Sequence, residues 1–284
     1  SALIAIFFTL LARSPRARLH LPRAPFRVIT VTGLAAAAIG LGQSGVHFQL
    51  SGFLQGVQGY GPLASGAAIV PFGLATLIGS MAVGVAMERR FRRVGAVEVG
   101  WIRGLIFAGL LVAGISVLAF GFLQPATPYL PIGIALTGLG AGAAVANVPR
   151  TDLLFRAVRP SHRGTAAGLN GGAFILGEAL GNSLVTVMLS VTVGGAWLAR
   201  LGEAGIPEAT AEQMLDEIRT RIFVHTAHPY QEPSWVQVVN DFPFYGAVYT
   251  EAVALAMVTI GAVLLATALL IRTSPGGHCR ARIR

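Results

Sequence analysis

The sequence predicts an all-α integral membrane protein, and three observations predict it. Six apolar stretches each approach or exceed the length of about 20 residues that covers a hydrocarbon core roughly 30 Å thick. The composition is 54% hydrophobic and only 12% charged, with a mean hydropathy of +0.68, against about 25% charged residues in an ordinary soluble domain. Every second connection between the stretches is rich in arginine, while the others carry little or no positive charge.

The elements follow in order. Ser1 to Ala12 is apolar but too short to cross, and it reads as the truncated end of a preceding linker helix. With no basic segment ahead of it, it does not read as a signal peptide. Residues 13–27 form a basic loop containing Arg13, Arg16, Arg18, Arg23 and Arg27. The six spans occupy residues 28–271: Val28 to Leu50, Leu63 to Met87, Val99 to Leu123, Tyr129 to Val148, Thr165 to Leu198 and Gly246 to Ile271. The 36 glycines suit helices that approach closely in lipid.

Charge sets the orientation. Arg89, Arg90, Arg92 and Arg93 follow the second span, and Arg150, Arg156, Arg159 and Arg163 follow the fourth. Arg272, Arg280, Arg282 and Arg284 follow the sixth, in a tail spanning 272–284. Cytoplasmic connections carry the arginine excess, so both ends of the six-span unit are expected on the cytoplasmic side. The net charge of +9 belongs to this alternation and does not describe a nucleic-acid surface. Asp152 and Glu98, near the inner surface, are expected to pair with local arginines.

The long outer connection, 199–245, holds Glu203, Glu208, Glu212, Asp216, Glu217, Glu232 and Asp241. Thr210 to Gln213 fits a capping box. Met214, Leu215, Ile218 and Ile222 then recur at helical spacing, which predicts a short amphipathic helix on the outer face. Trp235, Tyr245 and Tyr249 suit an interfacial belt before the last span.

Soluble chemistry finds no support. No P-loop occurs, no glycine fingerprint follows a strand, and no metal-ligand spacing emerges. The sequence therefore points away from an enzyme and implies no cofactor and no metal. Gly138-x-Gly140-x-Gly142 lies inside an apolar span and reads as a packing seam. Gly177 and Gly181 form a second small-residue pair.

Polar residues within spans are the functional candidates, because ionisable groups at that depth are expensive. Glu178 lies near the middle of the fifth span and is the candidate proton-coupling carboxyl; the alternative is a structural carboxyl bonded to a neighbouring helix. Asn170 lies two turns before it and Asn182 one turn after it. Gln43 and His47 are four apart in the first span and share a face. They line a substrate cavity, with His47 able to carry a proton, or else they pack; Gln49 lies near the outer boundary. Glu251 is one turn into the last span.

Two motifs carry a resemblance. Gly84-Val85-Ala86-Met87-Glu88-Arg89-Arg90-Phe91-Arg92-Arg93 resembles the G-x-x-x-D-R-x-G-R-R signature of the major facilitator superfamily. Glu88 stands where Asp is usual, and Phe91 where Gly is usual. Gly84, Glu88, Arg89, Arg92 and Arg93 would then form a latch at the cytoplasmic gate. Phe53 to Gly66, ending at Pro71, resembles the Y-L-Q-x-V-x-G-x-S-P-L-x-A-G…P run of the fourteen-span drug:proton antiporters. Gly138 to Gly142 and Arg163 to Gly168 are similar to that family in order and spacing. Phe174 stands where the family often has Arg, and Glu178 where it has a small residue.

The resemblance implies one of two six-helix bundles that enclose a mid-membrane site. The chain would be the C-terminal half of a secondary transporter and would need an N-terminal six-helix bundle as partner. It would perform proton-coupled efflux of small amphipathic compounds, including drugs, from a bacterial inner membrane, with its C-terminus cytoplasmic. The partners implied are a small-molecule substrate, protons and the lipid bilayer, with no nucleic acid. The alternatives are an exporter of a lipid, amino acid or other metabolite, or a non-transporting membrane interaction module.

Overall fold

The computed structural model describes residues 23–95, 99–203 and 245–273, with scattered positions between 205 and 213. The expectations for the linker helix, the amphipathic outer helix, Glu98, Trp235 and the C-terminal tail lie outside the described residues. The described chain forms α1 (Arg23–Gly56), α2 (Pro62–Val94), α3 (Val99–Ala119), α4 (Tyr129–Ala157), α5 (Arg163–Glu203) and α6 (Tyr245–Thr273). No strand occurs among the described residues. All six helices are long and apolar enough to cross a membrane, and the protein is an integral membrane bundle.

Local chemistry sets the ends of these helices. α2 starts on Pro62 at its first turn, where a missing N–H costs nothing. It stops at Gly95, whose φ of 69° is the left-handed conformation that glycine tolerates, and whose N–H donates to the Phe91 carbonyl. α2 thus runs well past the expected limit at Met87. Arg89 to Arg93 stand on a helix rather than in a loop, because nothing before Gly95 breaks the backbone ladder. Outside the bilayer, Gln58 Nε2 donates to the Thr127 carbonyl at 2.7 Å, which ties the α1–α2 connection to the α3–α4 connection.

Packing follows a repeated scheme. The broadest contacts are α1 with α5, α3 with α4, α2 with α4, and α3 with α6, and α1 also meets α4 and α6. Exchanging α1, α2 and α3 for α4, α5 and α6 maps the α1–α5 contact onto α4–α2, and α1–α6 onto α4–α3. It leaves the α1–α4 and α3–α6 contacts unchanged. These pairings fit two three-helix repeats within one bundle, although the α5–α6 contact has no comparable α2–α3 counterpart among the described residues. Phe53, Phe120, Ile102, Ile106, Leu110, Leu136 and Leu139 fill the core between them.

Small residues make the seams. A Cβ at Gly142 would lie 2.5 Å from the Ala113 backbone nitrogen, and one at Gly181 would lie 2.5 Å from the Leu41 carbonyl. Gly177 sits equally tightly on Ala37. Both expected packing seams are therefore present. The matched pairs Gly33–Ala173, Ala37–Gly177, Leu41–Gly181 and Gly45–Val185 show α1 and α5 running side by side in the same direction.

Two helices stand apart from the rest. Only 6% of the α2 span and 17% of the α5 span are buried, against 39–50% for the other four. Leu77, Ile78 and Met81 on α2, and Ile175, Leu180 and Val187 on α5, are exposed. These are equivalent helices of the two repeats.

Candidate functional site

The polar candidates occupy successive levels of the α1–α5 pair. Asn170, Phe174, Glu178 and Asn182 follow one another at four-residue spacing on α5, which keeps them along one slowly turning stripe. At 1.5 Å per residue, Glu178 stands about 12 Å beyond Asn170, and Asn182 about 6 Å further. The matched pairs of the α1–α5 seam place Gln43 near the level of Asn182. His47 lies about one turn beyond them.

Glu178 is half-buried. Its turn is held firmly, because Gly40 of α1 lies against the Phe174 carbonyl and the Glu178 backbone nitrogen. Its carboxylate makes no hydrogen bond or ion pair among the described residues. Asn182 is exposed, and its carbonyl accepts from Thr186 at 2.8 Å. Gln43 is half-buried.

His47 turns toward α2 and away from this stripe. Its ring meets Phe72 edge-on, with centroids 4.3 Å apart and planes at 79°. Its Nε2 is buried without a hydrogen-bond partner among the described residues. Gln49 is buried, and its Oε1 accepts from the Tyr249 hydroxyl at 3.1 Å. Tyr249 therefore ties α6 to α1 instead of joining an aromatic belt, because its hydroxyl reaches an acceptor inside the bundle.

Arg150 also differs from its place in the sequence reading. Grouped with the loop arginines, it lies within α4 and is 6% exposed. Its Nη1 donates to Asn170 Oδ1 at 2.6 Å and to the Thr32 carbonyl at 3.4 Å. Its Nη2 donates to Asn147 Oδ1 at 2.5 Å, and its Nε is buried without a partner among the described residues. One guanidinium thus joins α1, α4 and α5. The spacing of Asn147 and Arg150, three apart on one helical face, was the signal available in the sequence.

At the arginine-rich end, Glu88 Oε1 accepts from Arg92 Nε at 2.8 Å on an exposed face. Arg90 stacks over Trp101 at 4.7 Å, joining α2 to α3. Arg156 lies over Phe91 at 5.4 Å, joining α4 to α2, and pairs with Asp152 at 2.6 Å as expected. Arg103 donates to the Ile271 carbonyl at 2.5 Å, and Arg272 covers Phe107 at 4.9 Å. These contacts gather the arginine-bearing ends of α2, α4 and α6 at one end of the bundle. Gly84 meets nothing within 4 Å among the described residues. Arg89 and Arg93 are exposed.

No family model matches the chain. Similar proteins are found among curated sequences. A puromycin resistance protein from Streptomyces alboniger is 30% identical over 221 residues, covering 74% of this chain and 40% of that protein. A multidrug resistance protein B homologue from Mycobacterium tuberculosis is 26% identical over 166 residues, covering 58% of this chain and 29% of its own length. The multidrug resistance protein Stp from the same organism is 29% identical over 179 residues, covering 62% of this chain and 30% of that protein. The chain spans less than half the length of these relatives.

Proposed function

We propose that this chain, which is related to multidrug resistance and efflux proteins of the major facilitator type, forms one six-helix half of a proton-coupled exporter of small amphipathic compounds. One observation carries the reading. The mid-span polar stripe of Glu178 lies on α5, one of the two equivalent helices that this bundle leaves uncovered. A second six-helix bundle would cover α2 and α5 and enclose the stripe at mid-membrane.

The residues then take distinct roles. Glu178 alternates between holding a proton and releasing it as the bundles rock, and it has no fixed counter-ion among the described residues to prevent this. Gln43 and Asn182 offer hydrogen bonds to substrate at neighbouring levels. His47 stands behind them against Phe72 as a polar group of the cavity wall. Gly84, Glu88, Arg89, Arg92 and Arg93 latch the inner gate. Gly84 leaves the space that a helix of the other half would enter. The clustered arginines support a cytoplasmic location for that end, in a bacterial inner membrane with the C-terminus inside.

The experiment uses the full-length protein in drug-sensitive cells loaded with an amphipathic fluorescent dye. Expression is expected to lower dye retention, and an uncoupler to restore it. Retention unchanged by expression across a broad panel of dyes would contradict the export reading. Loss of retention that survives the uncoupler would contradict coupling to the proton gradient.

A further inference from the structure

The Arg150 cluster has the chemistry of a site for an anion. Arginine has only donors, so both amide side chains that meet it must turn their oxygens inward. Asn147 and Asn170 do so, which directs their amide N–H groups away from the cation. Those N–H groups make no hydrogen bond among the described residues. Both asparagines are half-buried, while Arg150 is buried behind them. The result is a rim of neutral donors with a positive charge at its back.

The charge is not compensated within the described bundle. All three acceptors around Arg150 are neutral: two amide oxygens and one backbone carbonyl. The carboxylate nearest in sequence, Asp152, is bonded to Arg156. Glu178 lies two helical turns beyond Asn170, about 12 Å away along the axis. A buried cation without a counter-charge is costly, and an anion brought beside it recovers much of that cost. The buried Nε, without a partner among the described residues, is further donor capacity.

We propose that Asn147, Asn170 and Arg150 form a subsite for a single carboxylate-sized anionic group, carried by the transported compound. The proposal rests on the reading of the chain as half of an exporter, and it narrows the substrate class to amphipathic compounds with an acidic end. The amides make the direct hydrogen bonds, and Arg150 supplies the field. The site lies on α4 and α5, inward of Glu178, so an acidic end bound there would place an apolar body along the α5 stripe.

Ligand-dependent melting of the purified full-length protein in neutral detergent tests this. The probes are 1-naphthoate, its uncharged amide and chloride alone. Naphthoate is expected to raise the melting temperature by about 2–4 °C near saturation, and naphthamide to leave it unchanged. Arg150→Gln should abolish the shift, and Arg150→Lys should retain part of it. Asn170→Asp supplies a built-in counter-ion and should also abolish the shift while preserving the fold, which covers the case in which Arg150→Gln fails to fold. A chloride shift as large as that of naphthoate, and lost in Asn170→Asp, retains the anion site but assigns it to a free inorganic ion. Equal shifts with naphthoate and naphthamide, or a naphthoate shift that survives Asn170→Asp, overturn the proposal. Because the readout is binding, a charge-dependent shift in a protein that fails to export would refute the export reading and leave the site standing.

Discussion

Single residues set the tolerances of this bundle. Gly177 rests directly on the Ala37 backbone, where no side-chain rotation can make room. Gly177→Leu is expected to push α5 from α1 and to cost more than the roughly 1–3 kcal/mol of ordinary overpacking. Loss of folded protein in fluorescence-detected size exclusion would register it. A well-folded variant with unchanged melting would contradict the seam. Glu88 behaves differently. Its ion pair with Arg92 is exposed, and such pairs contribute less than about 1 kcal/mol. Glu88→Gln should therefore leave melting nearly unchanged while slowing transport by the full-length protein, if the motif latches the gate. Melting and initial transport rate together separate the two roles.

Between elements, the contrast between α2 and α5 and the other four helices matters most. Lipid or a second bundle would each cover their apolar faces, and only the second positions Glu178 beside a partner. Cysteines placed at Leu77 or Ile78 of α2 are expected to cross-link to introduced cysteines in the upstream half of the full-length protein. A cysteine at Leu255 of α6, exposed on a helix that packs against α1 and α3, should not. Cross-linking at Leu255 with none at Leu77 or Ile78 would place the second bundle elsewhere. The three-plus-three contact scheme makes the same assignment on separate grounds, since α2 and α5 are equivalent helices.

At the scale of the whole molecule, what could be read in the sequence follows from what membranes penalise. The spans were legible because apolar length is a local property. The glycine seams were legible because small residues in lipid-spanning helices mean close approach. Arg150 was not legible, because a charge near a span's end reads as a loop charge until the packing of α1 and α5 shows it buried. Tyr249 failed for the same reason: an aromatic near a span's end suits the interface unless a partner such as Gln49 lies within reach. The His47 ring is directed at Phe72, which depends on where α2 falls and could not be read from its spacing to Gln43. The expectation of a missing half is also one of the whole molecule. Residues 1–284 expressed alone should give no dye efflux, and co-expression with the upstream half should restore it. Efflux by the 284-residue chain alone would refute the two-bundle account.

The central claim is that Glu178 couples export to protons. The most direct test is gradient-driven dye transport by the full-length protein in proteoliposomes, comparing Glu178 with Glu178→Gln over a range of pH. The account predicts that the variant loses gradient-driven transport by about tenfold or more and loses its pH dependence, while dye exchange without a gradient persists. A variant that keeps both the gradient-driven rate and the pH profile would contradict it.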